Sequence, residues 1–353
     1  MRESAAAQTT VDPAGEFPFA PGHYVLHLLA SIASFRDAAL DRLLRPLGLN
    51  VSRFRTLSVL VRCGDCTMSE LANFSTLDRT TLTRIADQLV AAGLVARLGE
   101  PKDRRRVVLS LTKEGLATYR KGGGQVAVHN AKVRGDASEP ELRQLARLLI
   151  AMLENTTANE ATRASLIRYR RDAPADVDSE GRIKPLIMPD PKAEFPFAVG
   201  DYGLHLISAI ALLRDTALDS RLKPLGLNTG RYRMLGALGR FGSSSMTELA
   251  NFISTDRTTL TRIADHLVRE GLAQRLGAPK DRRQVLLDIT PPGREAHQRA
   301  LAQLRDYNLS LLRDIPEPVQ RASARTMKRL VGQLAPSPAV RDLLITYSRP
   351  AAS

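Results

Sequence analysis

The sequence predicts a mainly helical chain with small β-hairpins, built from two tandem copies of one domain. Three observations carry this. Residues 78–107 (DRTTLTRIADQLVAAGLVARLGEPKDRRRV) and 256–285 (DRTTLTRIADHLVREGLAQRLGAPKDRRQV) match without a gap at a constant offset of 178. The register extends outward, from Glu16-Phe17-Pro18-Phe19 against Glu194-Phe195-Pro196-Phe197 to Thr112 and Gly115 against Thr290 and Gly293. A whole domain is therefore duplicated, not a short motif. Finally, 353 residues sit near a two-domain length, and each copy is long enough to bury its own core.

The elements of the first copy follow in order. Residues 1–15 are small and polar, the composition of a disordered terminus. From Gly22 to Leu44, Leu26, Leu29, Ala33 and Leu40 fall at helical spacing, flanked by Ile32 and Phe35. A second helix is expected over 52–62. A short third begins at Thr67, where Thr67-Met68-Ser69-Glu70 has the spacing of a capping box, kept as Ser245-Met246-Thr247-Glu248 in the second copy. A fourth helix follows Asp78 as N-cap, with Leu82, Ile85, Ala86, Leu89 and Val90 in one stripe and Gly93 as its stop. Strands over 94–98 and 106–111 flank a turn-rich tip. Thr112 caps a fifth helix, and a sixth is expected over 140–169. In the fifth, Lys121-Gly122-Gly123-Gly124 replaces Arg299-Ala300-Leu301-Ala302 of the other copy; either the helix kinks there or the weakness is tolerated. Residues 171–193, rich in Pro and Asp, read as a linker. The domains are thus 16–170 and 194–350.

Lys plus Arg exceed Asp plus Glu by 14, and the sequence pI is about 10.3. That excess favours a polyanionic partner, nucleic acid or an acidic membrane surface, although solubility alone also accounts for it. No apolar run approaches the roughly 18 residues of a bilayer span, and the N-terminus has no hydrophobic stretch of a secretory signal. With only Cys63 and Cys66, nothing suggests a disulfide framework, so a cytoplasmic protein is expected. Cys63-Gly64-Asp65-Cys66 forms a CxxC, but a structural zinc needs about four ligands. Phe241 and Ser244 replace the cysteines in the second copy. They are incidental cysteines at a helix end, a redox-sensing pair or, least supported, metal ligands.

A short helix, an amphipathic helix, a hairpin carrying Asp103-Arg104-Arg105, then Leu111-Thr112 and Gly115, make a pattern that recurs as Asp281-Arg282-Arg283, Ile289-Thr290 and Gly293. This pattern resembles the MarR family of winged helix-turn-helix regulators. The resemblance implies a mainly α fold with small β-hairpin wings: two tandem winged helix-turn-helix domains with helical dimerisation elements. Family members are usually single-domain homodimers, so the fusion implies an intramolecular pseudo-dimer, whose first, fifth and sixth helices would form the dimer interface. It also implies a transcription regulator, often a repressor, released from DNA by a small phenolic or aromatic acid; an aromatic thioester is a related candidate.

The candidate DNA-contacting residues follow. The fourth helix presents Thr80, Thr81, Arg84 and Gln88 on its polar face, and Thr258, Thr259, Arg262 and His266 are their equivalents. Such donors suit base edges and phosphates in a major groove, though an ordinary solvated face would look similar. The wing tips hold Lys102, Asp103, Arg104 and Arg105, and Lys280, Asp281, Arg282 and Arg283. An inserted Arg suits the negative potential of a narrow minor groove, and the resemblance implies that Asp103 orients Arg105 and Asp281 orients Arg283. On the first two helices Tyr24, His27, Arg36, Arg53 and Arg55 match Tyr202, His205, Arg214, Arg231 and Arg233. They are candidates for binding an aromatic acid, or they serve packing and salt bridges. There is no nucleophile elbow, phosphate-binding loop or paired metal-ligand motif, so no enzyme activity, cofactor or metal is expected. Two alternatives to a ligand-responsive regulator stay open: an architectural, nucleoid-type DNA-coating protein, or a thiol-redox sensor working through Cys63 and Cys66.

Overall fold

The computed structural model describes residues 12–75, 79–100, 103–168, 194–253, 257–277 and 285–347. They form two compact units, which do not coincide with the two sequence copies. The first unit is Ala39–Leu213; the second draws on Met1–Ala38 and Arg214–Ser353. Each unit therefore holds the hairpin lobe and C-terminal helices of one copy, together with the opening segment of the other. The linker, 171–193, lies outside the described residues.

The first unit begins within helix α1 (Pro21–Leu44), which a 3-10 turn at Arg45–Leu47 and the left-handed Gly48 bring to a stop. Helix α2 (Val51–Cys63) starts where the Asn50 side chain accepts from the Arg53 amide at 2.9 Å. Strand β1 (Cys66–Thr67) leads into α3 (Met68–Ser75), α4 (Arg79–Ala91), β2 (Val95–Glu100), β3 (Asp103–Leu111) and α5 (Lys113–Arg134). Thr67 and Glu70 form the capping box: the Thr67 amide donates to Glu70 Oε2 at 2.8 Å and the Glu70 amide to Thr67 Oγ1 at 3.3 Å. Asp78 lies outside the described residues. The sheet order is β1-β3-β2, all antiparallel, with a bulge at Gly99/Glu100. One core joins Leu57 and Leu60 of α2, Leu71 of α3, Leu82, Ile85 and Leu89 of α4, and Leu109 of β3.

Helix α5 runs unbroken through Gly122-Gly123-Gly124, so of the two alternatives the tolerated weakness is the one found. Gly122 has a packing reason. A Cβ there would stand 3.1 Å from both Leu44 and Phe54, whereas Gly123 and Gly124 face open space. The single sixth helix expected over 140–169 is two, α6 (Glu139–Glu154) and α7 (Glu160–Arg168). Asn155 caps the first, and the Asn159 side chain accepts from the Thr162 amide at 2.8 Å to start the second. Cap residues clustered in Asn155-Thr156-Thr157-Ala158-Asn159 outweigh the apolar spacing on either side.

The second copy repeats the series as α8 (Val199–Leu222), α9 (Thr229–Phe241), β4 (Ser244–Ser245), α10 (Met246–Ile253), α11 (Arg257–Arg269), β5 (Ala273–Gly277), β6 (Val285–Ile289), α12 (Pro291–Ser310), α13 (Glu317–Leu334) and α14 (Pro338–Thr346). Its sheet order is β4-β6-β5.

The exchanged segments are held by matched contacts. In the second unit, Glu16 of the first copy pairs with Arg325 at 2.5 Å and with Arg321 at 3.4 Å of the second copy's α13. In the first unit, Glu194 pairs with Arg147 at 2.7 Å and Arg143 at 2.8 Å of α6. All three positions of each set are related by the sequence offset. Likewise the Tyr24 hydroxyl donates to the Ile345 carbonyl and the Tyr202 hydroxyl to that of Ile167, each at 2.7 Å. Of the terminal stretch expected to be disordered, Asp12 to Gly15 are placed by contacts within the second unit; residues 1–11 lie outside the described residues.

Asp12 is buried, 4% exposed, and takes Arg321 at 2.5 Å as well as the amides of Ala14, Glu16 and Phe17. The Arg321 hydrogen bond holds its carboxyl well below the usual carboxylate range, against the opposing effect of burial. Arg325 likewise holds Glu16 down. A depressed folded pKa gives stability that is complete above the unfolded value and is lost as pH falls toward the folded one. Below about pH 4, the thermal midpoint of the wild type is therefore expected to fall more steeply than that of Asp12→Asn. Parallel pH profiles for the two proteins would show that this contact does not titrate with folding.

Candidate DNA interface and ligand cavity

The buried stripe of α4 (Leu82, Ile85, Ala86 and Leu89) fixes which face turns outward. Thr80 and Arg84 are exposed, and Thr81 and Gln88 half-buried. Gln88 is already engaged: its Oε1 accepts from Arg53 Nε at 3.2 Å and Nη2 at 3.0 Å. A two-pronged contact from Gln88 to adenine would need that oxygen, so Arg53 must release it or join the contact. In the second unit Thr258 and Arg262 are exposed, and Thr259 and His266 half-buried. There Arg231 donates to the Gly226 carbonyl at 2.9 Å. The two recognition helices differ only at Gln88/His266 and Ala91/Arg269.

The helix and hairpin are joined by a junction around Thr112. Gly93, left-handed, ends the turn after α4, and the Leu94 amide reaches back to the Leu89 carbonyl at 3.0 Å. Thr112 Oγ1 donates to the Gly93 carbonyl at 2.8 Å and accepts from the Gly115 amide at 2.9 Å, while its own amide donates to the Leu94 carbonyl at 3.1 Å. Arg97 of β2 also pairs with Asp87 of α4, as Arg275 pairs with Asp265. Asp103, Arg104 and Arg105 lie at the start of β3. Lys102, Lys280, Asp281, Arg282 and Arg283 lie outside the described residues.

The ten candidate ligand residues are not gathered in one place. His27 and Arg233 line a cavity of about 520 Å³ in the second unit, with Ser31 of α1, Tyr232 and Arg240 of α9, Phe252 of α10, His297 of α12, and Tyr347. His27 Nε2 donates to the Leu344 carbonyl at 2.9 Å. Burial holds its pKa down at about 4, so the ring is neutral. Burial also lowers His297 and pushes the Tyr347 hydroxyl up to about 12. Arg233 is held by Asp215 at 2.7 Å. Tyr24 and Tyr202 spend their hydroxyls on carbonyls, as described. Arg214 is buried, which lowers its pKa, and donates to Asn308 Oδ1 at 3.1 Å. Arg36 is buried in the second unit. Arg53 and Arg231 stand at the start of α2 and α9, and Arg55 is half-buried on α2. His205 lies 6.4 Å from the Tyr202 ring in the first unit.

A profile of the MarR family matches this chain twice, at residues 49–107 and 227–285. The multiple antibiotic resistance protein MarR of Salmonella typhimurium is 33% identical over 99 residues, which cover 27% of this chain and 69% of that protein. The chain belongs to the MarR family. The homoprotocatechuate degradative operon repressor of Escherichia coli is 28% identical over 126 residues, 35% of this chain and 84% of the repressor. A crystal structure of a cysteine-to-serine mutant of MarR from E. coli, complexed with operator DNA, is 27% identical; the match covers 29% of this chain and 74% of that one, with a TM-score of 0.28.

MarR-family membership makes this a DNA-binding transcription regulator with two winged helix domains in one chain. Several of its structural residues were not singled out from sequence. The Asp87–Arg97 and Asp265–Arg275 pairs left one signal, identical residues at the repeat offset. Tyr347 left none, because it meets Phe252 and Phe19 only through tertiary contact. Cys63 and Cys66 are both buried thiols not joined in a disulfide. Cys66 Sγ donates to the Gly64 carbonyl at 3.2 Å, as Ser244 Oγ does to Gly242 at 2.9 Å. The thiol thus serves the turn that the hydroxyl serves in the other repeat. Among the described residues no helix is long and apolar enough to cross a membrane, and no cluster suits a metal ion.

Proposed function

We propose that one chain acts as its own MarR dimer, a repressor on one pseudo-palindromic operator that a small aromatic acid or thioester releases. The observation that carries this is the reciprocal exchange of opening segments, Glu16 with Arg321 and Arg325, Glu194 with Arg143 and Arg147. Two repeats that each complete the other need no second chain. The 23 residues of the linker reach roughly 75 Å when extended, ample for pairing in cis. Thr80, Thr81, Arg84 and Gln88 read one half-site in the major groove, and Thr258, Thr259, Arg262 and His266 the other. Lys102, Arg104 and Arg105, and Lys280, Arg282 and Arg283, contact the flanking minor grooves and phosphates, with Asp103 and Asp281 as orienting acids. Because His266 replaces Gln88, the two half-sites are not equivalent. The E. coli relative, a repressor of an operon for homoprotocatechuate degradation, supports repression and an aromatic acid as effector. The cavity, with His27 and Arg233 in its wall, is where that effector binds.

Selection from random DNA, followed by native mass measurement, tests this reading. The expected result is an imperfect palindrome carrying one chain, preferred by roughly 10³-fold or more over random DNA at physiological salt. Two chains on every single site would overturn the pseudo-dimer. Little preference together with a steep salt slope would favour a DNA-coating protein instead.

A further inference from the structure

The recognition helices of the two repeats are nearly identical, but the walls of the cavity are not. Along α9, Gly236 and Gly239 stand where the first repeat has Ser58 and Val61; along α12, Arg294 and His297 stand where it has Leu116 and Tyr119. The recognition helices differ at two positions, Gln88/His266 and Ala91/Arg269, whereas the cavity walls change in size and charge at four.

The chemistry of that division can be read residue by residue. In the first unit, Val61 is 1% exposed within the core, and Phe54 is buried and stacks on Tyr119 with ring centroids 5.2 Å apart. Val61 thus fills the first repeat's counterpart of Gly239, and Ser58 adds a side chain at that of Gly236, while Phe54–Tyr119 is the counterpart of the Tyr232–His297 pair. In the second unit, a Cβ on Gly239 would meet only Ile289, at 4.0 Å, and Gly239 itself lines the cavity. A side chain there would project into the void. A Cβ on Gly236 would stand 3.0 Å from His297 Nε2, so this glycine makes room for the imidazole that stacks on Tyr232 at 5.3 Å. Two helical glycines lower the helix propensity of α9 relative to alanine, a cost the first repeat's α2 does not carry at these positions.

The void also has a chemical preference. Tyr232, Phe252 and Tyr347 give it aromatic walls, and no acid lines it. Arg240 and Arg294 are exposed at its edge. Among the described residues Arg294 has no ion pair, and its first-repeat counterpart is the uncharged Leu116. Arg240 is spent on the Tyr347 carbonyl at 3.1 Å, so the Arg294 guanidinium is the free charge beside this flat apolar surface, a combination that suits an aromatic ring bearing a negative charge.

We infer that the fused chain has one working effector site, not two: the second unit takes a single aromatic anion in the cavity opened by Gly236 and Gly239, and the first unit is filled at the matching positions. This rests on the effector reading above and adds its stoichiometry, its location and the residues that set it.

Titration of the full chain with 8-anilinonaphthalene-1-sulfonate, an aromatic sulfonate whose fluorescence reports binding, is the test. The expected result is saturation at one probe per chain. Gly239→Val, which restores the first repeat's residue, should weaken binding more than ten-fold while leaving the thermal midpoint level or higher. Arg294→Leu should weaken it several-fold. Saturation at two probes per chain, undiminished binding by Gly239→Val, or no saturable binding at all would overturn the inference. A parallel series of benzoates, cinnamates and their coenzyme A esters, scored by loss of operator affinity, separates the two readings. One probe bound but no change in DNA affinity across the series would remove the effector reading and leave the single site. Release of DNA that requires two equivalents would do the reverse.

Discussion

A chain carrying both Arg105→Ala and Arg283→Ala is expected to bind its operator roughly 30-fold more weakly or worse, with its fold intact. Each wing Arg is worth about 1–3 kcal/mol if it enters the minor groove, and the two act at separate ends of the site, so their effects add. In the first repeat β2 and β3 pair antiparallel, and Arg97 of β2 meets Asp87 of the recognition helix, which sets the hairpin beside that helix. Loss should be largest on A·T-rich flanks, where the groove is narrow and its potential strongest. Fluorescence anisotropy on operators with A·T-rich and G·C-rich flanks, alongside circular dichroism, provides the measurement. Affinity unchanged in the double variant would remove the wings from the account of binding.

Much of this architecture was legible because it is local. The apolar stripe of α4, the Thr67–Glu70 capping box and the Thr112 cap each depend on residues a few positions apart, and the duplication showed every signal twice. The break between α6 and α7 was legible too, had the second copy been consulted: Ala335-Pro336-Ser337-Pro338 marks the same place, and the Ser337 side chain accepts from the Val340 amide at 3.3 Å. The exchange of opening segments was not legible. Glu16 and Arg325 are 309 positions apart; Glu16 precedes α1, and nothing in the periodicity of α13 names its partner. The same limit applies to the candidate ligand residues. Repetition of His, Tyr and Arg at the offset marks shared structure and shared function alike. Only packing separates His27 and Arg233, which line the cavity, from Tyr24 and Tyr202, whose hydroxyls close helix ends. Gly236 and Gly239, which open that cavity, looked like ordinary substitutions in a helix.

The second large effect is expected at Gly115 and Gly293, and it follows from backbone geometry alone. A Cβ on Gly115 would lie 2.0 Å from the Leu94 carbonyl oxygen and 2.9 Å from Leu111; on Gly293 it would lie 2.0 Å from the Leu272 oxygen. No rotamer relieves such a clash, since the Cβ position is fixed by the backbone. The carbonyl cannot retreat freely either, because it accepts from the Thr112 amide at 3.1 Å, or in the second repeat from Thr290 at 3.2 Å. Those bonds fasten the exit of the recognition helix to the first turn of α5 and of α12. Gly115→Ala should therefore cost about 3 kcal/mol or more of stability, the upper end of overpacking. It should also weaken operator binding by tilting α4 against its wing. Gly123→Ala is the matched control: same helix, same substitution, no neighbour within 4 Å. There alanine should stabilise by about 0.5–1 kcal/mol. Urea denaturation of both variants, read by far-ultraviolet circular dichroism, measures the contrast. If Gly115→Ala proved as stable as Gly123→Ala, the close approach of Leu94 to α5 would be refuted, and with it the physical reason for a glycine three residues after each Thr cap.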